Sequence, residues 1–202
     1  MWLGYWHATL ETLVLVLLST GASVFFGLPL GVVAARTKKL YRCMSPILDV
    51  MQTLPTFVYL IPTLMLFGLG MVPGLVSTVV FAMPAMIRLT YLGLNSVPRE
   101  LLEAGDSLGA SAWQRLIKIE LPYSAPALIA AVNQTLMLCL SMVVVAALVG
   151  SGGLGVPVVR ALNTVNVAQG FEAGLAIVVV AIVLDRVLQR PAWQRVCSLE
   201  GS

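Results

Sequence analysis

Thr12-Leu-Val-Leu-Val-Leu-Leu-Ser-Thr-Gly-Ala-Ser-Val-Phe-Phe-Gly-Leu-Pro-Leu-Gly-Val-Val-Ala-Ala35 runs from Glu11 to Arg36 without one charged side chain. An α-helix needs about 20 predominantly apolar residues to cross a hydrocarbon core, and this stretch is longer than that. Downstream, residues 50 to 87 are again uncharged between Asp49 and Arg88, long enough for two short spans if the chain turns midway. Gly68-Leu-Gly-Met-Val-Pro-Gly74 supplies the turn chemistry. Across all 202 residues, 59% are apolar and 10% charged, with a mean hydropathy of +0.95. A soluble chain carries roughly 45–50% and about 25%, so these charges are too few to cover a water-exposed surface. The sequence predicts an all-α polytopic membrane protein with five transmembrane helices. The expected spans are about 12–35, 47–68, 74–95, 123–149 and 168–188, in one domain covering 1–202.

Lysine and arginine in short loops mark the cytoplasmic side. With five spans, eleven of the twelve basic residues fall at one side, including Arg36, Lys38, Lys39, Arg42, Arg99, Arg115, Lys118, Arg190 and Arg195. Only Arg160 falls opposite. The N-terminus is therefore expected outside and the C-terminus inside. Met1 to Ala8 has no basic stretch, and no small-residue cleavage site follows, so the first span reads as retained rather than as a signal peptide. Trp2, Tyr5 and Trp6 suit an outer aromatic belt, and His7 reads as interfacial.

Several chemistries are excluded. Cys43, Cys139 and Cys197 are too scattered for a disulfide framework or zinc cluster and read as small apolar fillers. One histidine cannot support a catalytic triad or a metal site. No G-x-x-x-x-G-K-[ST] stretch is present to cradle ATP phosphates. A net charge of +3 gives no basis for nucleic-acid binding. Gly150-x-Gly152-x-x-Gly155 matches a dinucleotide fingerprint in letters only, because it follows a membrane span rather than a buried strand. It reads as an external turn or a re-entrant element at the outer gate. Gly27-x-x-x-Gly31 reads as a helix-packing motif, within one subunit or between two.

The expected cytoplasmic loop 96–122 is more structured than a connector. Leu101, Leu102, Ala104, Gly105 and Leu108 recur at helical spacing. Gly109 offers a helix-ending turn, and Ser111 followed by Gln114 is a capping box that opens a second short helix. Trp113, Leu116 and Ile117 lead back to the membrane, where Pro122 is expected to open the fourth span. On local physics alone this is an amphipathic hairpin at the lipid surface.

The spacing narrows it. Glu103-Ala104-Gly105, three residues, Gly109, nine residues, Ile119-x-Leu121-Pro122 resembles the E-A-A-x3-G-x9-I-x-L-P signature of bacterial ABC importer membrane subunits. Gly105 in place of the second alanine is the one departure. Asp49-Val-Met-Gln52-Thr53-Leu-Pro55, Val97-Pro98, Val132-Asn133-Gln134-Thr135 and Gly152-Gly153-Leu154-Gly155 are similar to the permeases of glycine betaine, proline and choline importers. The resemblance implies a type I importer permease in the bacterial inner membrane. It implies that Glu103, Ala104, Gly105, Leu108, Gly109, Ile119, Leu121 and Pro122 belong to a coupling loop that docks on a separate ATPase. It implies further partners: a second permease subunit (an identical copy or a homologue), two ABC ATPases carrying ATP and Mg, an extracytoplasmic binding protein and membrane lipid. This chain itself needs no cofactor and is not an enzyme.

Polar groups at membrane depth are costly unless satisfied or wet. Gln52, Thr53, Asn133, Gln134, Thr135 and Ser141 are read as a translocation path, against the alternative that they hydrogen-bond helix to helix. Choline, glycine betaine, proline and carnitine all stay open as substrates, with a methionine or other amino-acid importer as the alternative. A secondary transporter or channel is the alternative of another class, and no carboxylate well inside a span favours it.

Overall fold

A computed structural model describes residues 6–200, which form helices and connecting turns with no strand among them. The order is α1 (Trp6–Arg36), α2 (Lys38–Thr53), α3 (Thr56–Phe67), α4 (Met71–Asn95), α5 (Arg99–Ser107) and α6 (Ala112–Arg115). A π-helical turn (Leu116–Glu120) then leads into α7 (Leu121–Ala146), followed by α8 (Gly155–Asn163) and α9 (Val167–Glu200). The expected belt residues Trp2 and Tyr5 lie outside the described residues, as do the side chains of Asp185, Arg190, Arg195 and Cys197.

α4 is the centre of the bundle, with α1 on one side and α7 on the other. Small residues set these distances. A Cβ on Gly31 would stand 2.6 Å from Thr90 Cβ and 2.9 Å from the Ile87 carbonyl oxygen, and one on Gly27 would stand 2.9 Å from Met86 Cβ. The Gly27-x-x-x-Gly31 pair thus packs α1 on α4 of the same chain, close enough for backbone and side chain to meet. On the far side, Gly93 faces Ala127, and Ser124 Oγ donates to the Gly93 carbonyl at 2.8 Å. Beyond these seams Leu15, Val16, Ala82, Leu136, Leu140, Val143, Leu154 and Leu184 form one buried cluster joining α1, α4, α7 and α9.

Replacing Gly31 by alanine should therefore force α1 off α4 and cost about 1–3 kcal/mol, the usual range for overpacking. Gly21, whose Cβ would meet nothing within 4 Å, is the matched control. Thermal unfolding of the purified chain in detergent should show a lowered midpoint for Gly31→Ala and none of that loss for Gly21→Ala.

Among the described residues four helical segments are long and apolar enough to span a membrane, and five if the bent α2–α3 pair is one span, so the expected second span is a broken one. Instead of one helix over 47–68, α2 and α3 meet at a 95° bend around Leu54-Pro55. The residue before a proline is driven out of the helical region, and Leu54 is extended at φ −66°, ψ 134°. Tyr59 Oη closes the corner by donating to the Met51 carbonyl. The turn expected over 68–74 is also shorter. Gly68 (φ +72°) and Gly70 (φ +138°) complete it, and α4 already begins at Met71 and takes in Pro73 and Gly74.

Pro122 stands in the first turn of α7, where the fourth span is expected to open, but the helical path runs on without a break from Ala112 to Val149. Leu121 N–H donates to the Leu116 carbonyl, five residues back. That wider turn sits just where the proline ring and its missing donor would otherwise break the ladder.

Candidate functional site

The loop expected over 96–122 folds as α5, a tight turn, α6 and the π turn. α5 starts after Pro98 and ends in a two-bond cap: Gly109 N–H donates to the Asp106 carbonyl (3.0 Å) and Ala110 N–H to the Gly105 carbonyl (3.1 Å). Gly109 stands at φ +75°, the left-handed conformation that this Schellman-type cap requires. Ser111 then caps α6 reciprocally. Gln114 N–H donates to Ser111 Oγ (3.3 Å), and Ser111 N–H donates to Gln114 Oε1 (2.9 Å).

The apolar residues of α5 share one face by spacing, but only Gly105 of that face is buried. Gly105 is buried, and a Cβ there would lie 2.5 Å from Ile119 Cδ1, so two positions of the spaced motif meet as the inner contact. Leu101, Ala104 and Leu108, at i, i+3 and i+7 beside it, are exposed, Leu108 at 88%. Trp113 is 69% exposed and Ile117 45%, so neither leads inward as expected; Leu116 alone of that group is buried. Glu103 is exposed, and its carbonyl accepts from Ser107 Oγ at 2.8 Å. Leu121 is half-buried and Pro122 exposed on the same continuous helix. The loop thus has an inner contact and an apolar outer tip. Trp113 and Leu108 are exposed large apolar side chains of this loop rather than parts of a covered core.

A charged network that the sequence reading missed ties this loop to the bundle. Arg115 Nη1 donates to both carboxylate oxygens of Asp106 at 2.8 Å, and Arg115 Nε donates to Glu120 Oε1 at 3.1 Å. Glu120 Oε2 is 3.1 Å from Arg36 Nη2, which also donates to the Ala112 carbonyl at 3.3 Å. Glu120 is buried, at 7% exposure, and each of its carboxylate oxygens meets an arginine. The signal was hidden by its spacing. Five residues along an α-helix turn through about 500°, placing Arg115 and Glu120 about 140° apart. The π turn between them brings the two side chains to one face.

The expected path residues separate into groups. Thr135 is fully buried against α4, donating to the Ala131 carbonyl at 2.7 Å and facing Met86 Sδ at 3.7 Å. It packs within the protomer and does not reach an open face, because its hydroxyl lies on the α4 side of α7. Gln134 and Ser141, seven residues apart, share the exposed stripe of α7; Ser141 Oγ donates to the Met137 carbonyl at 3.0 Å. Asn133 Oδ1 is buried with no hydrogen-bond partner among the described residues. Gln52 and Thr53 are exposed at the end of α2, Thr53 Oγ1 donating to the Val50 carbonyl at 3.0 Å. Met51 and Leu54 beside them pack into the cluster that holds Tyr59, Met142 and Ala146, so the bend sits against α7 next to Ser141.

At the other end of the bundle the glycine-rich stretch is a turn, not a nucleotide loop. Gly150, Gly152 and Gly153 all have positive φ. Gly153 N–H donates to Glu11 Oε2 at 2.7 Å and Leu154 N–H to Thr12 Oγ1 at 2.8 Å, fastening the turn to the start of α1. Among the described residues no group of three or more His, Cys, Asp or Glu side chains could hold a metal.

Residues 27–190 match the family model described as binding-protein-dependent transport system inner membrane component. The chain belongs to that family. It is 48% identical over 188 residues to the glycine betaine transport system permease protein OpuAB of Bacillus subtilis, covering 93% of this chain and 67% of that one. It is also 48% identical over 187 residues to the glycine betaine/proline betaine transport system permease protein ProW of Escherichia coli, covering 93% of this chain and 53% of that one. The chain thus spans between about half and two thirds of the length of these relatives. Among solved structures, an inward-facing MetNI methionine ABC transporter matches with a TM-score of 0.86 at 25% identity, over 95% of each chain. Family membership makes this an inner membrane component of a binding-protein-dependent transport system.

Proposed function

We propose that this chain is the membrane-spanning permease subunit of an ATP-driven importer of glycine betaine or a related quaternary ammonium compound. One observation carries the reading. The α5–α6 loop holds its apolar tip outward on a charged mounting, in a chain 48% identical to glycine betaine permeases. An importer of methionine has weaker support, because the methionine transporter matches at 25–26% identity. The loop end is read as cytoplasmic from its basic residues. Two such subunits, the same or homologous, would enclose the path. Two ATPases carrying ATP and Mg would dock on the α5–α6 tips, and a binding protein would deliver substrate at the end that bears α8. Closure of the ATPases would draw the tips together and rock the helices between inward- and outward-facing states.

Orientation is tested by reporter fusions. Those after Met71 and Leu162 should read external, and those after Lys39, Ser111 and Arg195 internal; an internal reading at Leu162 would break the five-span arrangement. Gln134 and Ser141 are read as facing the path from α7, with Asn133 beside them. Replacing Gln134 by leucine removes about one polar contact, worth about 1 kcal/mol or roughly fivefold in uptake. Assembly with the second subunit should be unchanged, and failure to assemble would make Gln134 an interface residue. The function itself is tested in proteoliposomes holding this chain, its ATPase and its binding protein. ATP-dependent uptake of labelled glycine betaine is expected. Uptake of methionine without glycine betaine would overturn the substrate class.

A further inference from the structure

Asp106, Arg115, Glu120 and Arg36 alternate in sign and lie on four different segments: α5, α6, the π turn and the last turn of α1. Asp106 and Arg36 sit at the ends of this chain of charges. The outer members are well exposed, Asp106 at 54% and Arg36 at 31% of the side chain, whereas Glu120 is at 9%. The Asp106–Arg115 pair is exposed on its carboxylate side, and such pairs contribute little to stability, so folding alone gives this end of the network little reason to exist. Its geometry is that of a linkage. The Arg115 guanidinium holds Asp106 through Nη1 and Glu120 through Nε, two directions fixed by one rigid plane. Beside it, Gly105 carries no side chain of its own, so the Ile119 side chain reaches the α5 backbone and joins α5 to the start of the long helix.

We propose that Arg115 and Glu120 are positioning residues of the transport cycle, forming a charged joint through which a displacement of α5 is passed to α1 and to α7. The proposal rests on the reading of α5 as the element that the ATPase moves. Asp106 ties the moved helix to Arg115, and Glu120 divides the pull, carried along its own backbone into α7 and through Arg36 into α1. The π turn supplies the fit, because it brings Arg115 and Glu120 to one face, and such turns occur frequently at functional sites.

The test uses the full complex in proteoliposomes and reads substrate imported per ATP hydrolysed, a ratio that loss of folded protein alone does not change. The single variants are Asp106→Asn, Arg36→Gln, Glu120→Gln and Arg115→Lys, with the double variant Asp106→Asn/Arg36→Gln. Each single variant should lower the ratio by about tenfold, within the roughly 5–150-fold span of coupling between sites in proteins. Arg115→Lys keeps the charge and should still fail, because one ammonium cannot hold both carboxylates in the fork's two directions. The double variant should be no worse than the poorer single, since either break opens the same chain. Should Glu120→Gln not accumulate in the membrane, the two exposed end residues still decide the matter. A normal ratio in Asp106→Asn and Arg36→Gln, or losses that multiply in the double variant, would overturn the joint. If the unmodified complex neither hydrolyses ATP in response to the loaded binding protein nor imports, the importer reading itself falls, and the joint with it.

Discussion

Gly109→Val and Glu103→Lys should each reduce ATP-driven uptake by about tenfold or more while the chain still reaches the membrane, a loss within the range of inter-site coupling energies. Gly109 holds φ +75° in the cap that ends α5, and nothing lies within 4 Å of where its Cβ would be. The lesion is therefore not a clash inside this chain. A β-branched residue in the left-handed region costs about 1–2 kcal/mol, and the turn relieves that strain by giving up its two cap bonds, which redirects Leu108. Glu103 is exposed beside that tip, so its reversal changes the charge offered to a docked partner without disturbing a buried contact. The measurement is uptake in vesicles together with the amount of chain in the membrane. Full uptake with Gly109→Val would show that the turn does not set the tip.

The second large effect is expected at Trp113. A tryptophan 69% exposed, close in sequence to a leucine 88% exposed, has the composition of an interface anchor. Trp113→Ala should weaken ATPase binding by about 2–4 kcal/mol, or roughly 30-fold and more. Leu108→Ala should weaken it less. Titration of the purified ATPase onto proteoliposomes measures both. Unchanged binding in both variants would move the docking surface away from the tip.

Much of this arrangement was legible in the residues. The apolar runs placed the long helices because only about 20 uncharged residues in sequence can satisfy a bilayer. Ser111, Gln114 and Gly109 placed the caps of the loop because capping chemistry is local. What was hidden depended on contacts between distant segments. Pro55 marked a break, but the 95° bend it allows is fixed by the packing of Tyr59 and Leu60 on α7. Pro122 marks the first turn of α7, but nothing local announces the π turn that joins α7 to α6. Thr135 read as part of a wet path because its neighbours Asn133 and Gln134 are polar, yet a helix turns about 100° per residue, and Thr135 lands on the α4 side. Arg115 and Glu120, five apart, matched no helical pairing pattern, so the network escaped notice until the π turn put them together. The inner role of Gly105 has a simple counterpart. Its closest neighbour is the end of the Ile119 side chain, which can swing aside, so alanine there fits the spacing motif and the structure alike.

The central claim is that the α5–α6 tip is where an ATPase takes hold of this membrane protein, and it is tested most directly by crosslinking from that tip. Leu108→Cys, placed in a chain with Cys43, Cys139 and Cys197 replaced by alanine, should crosslink to the co-expressed ATPase in native membranes. Leu162→Cys, 72% exposed on α8 at the other end, should not. The Leu108→Cys adduct should form in a 1:1 ratio of the two chains and change in yield when ATP is added. An adduct from position 162 and none from position 108 would contradict the account.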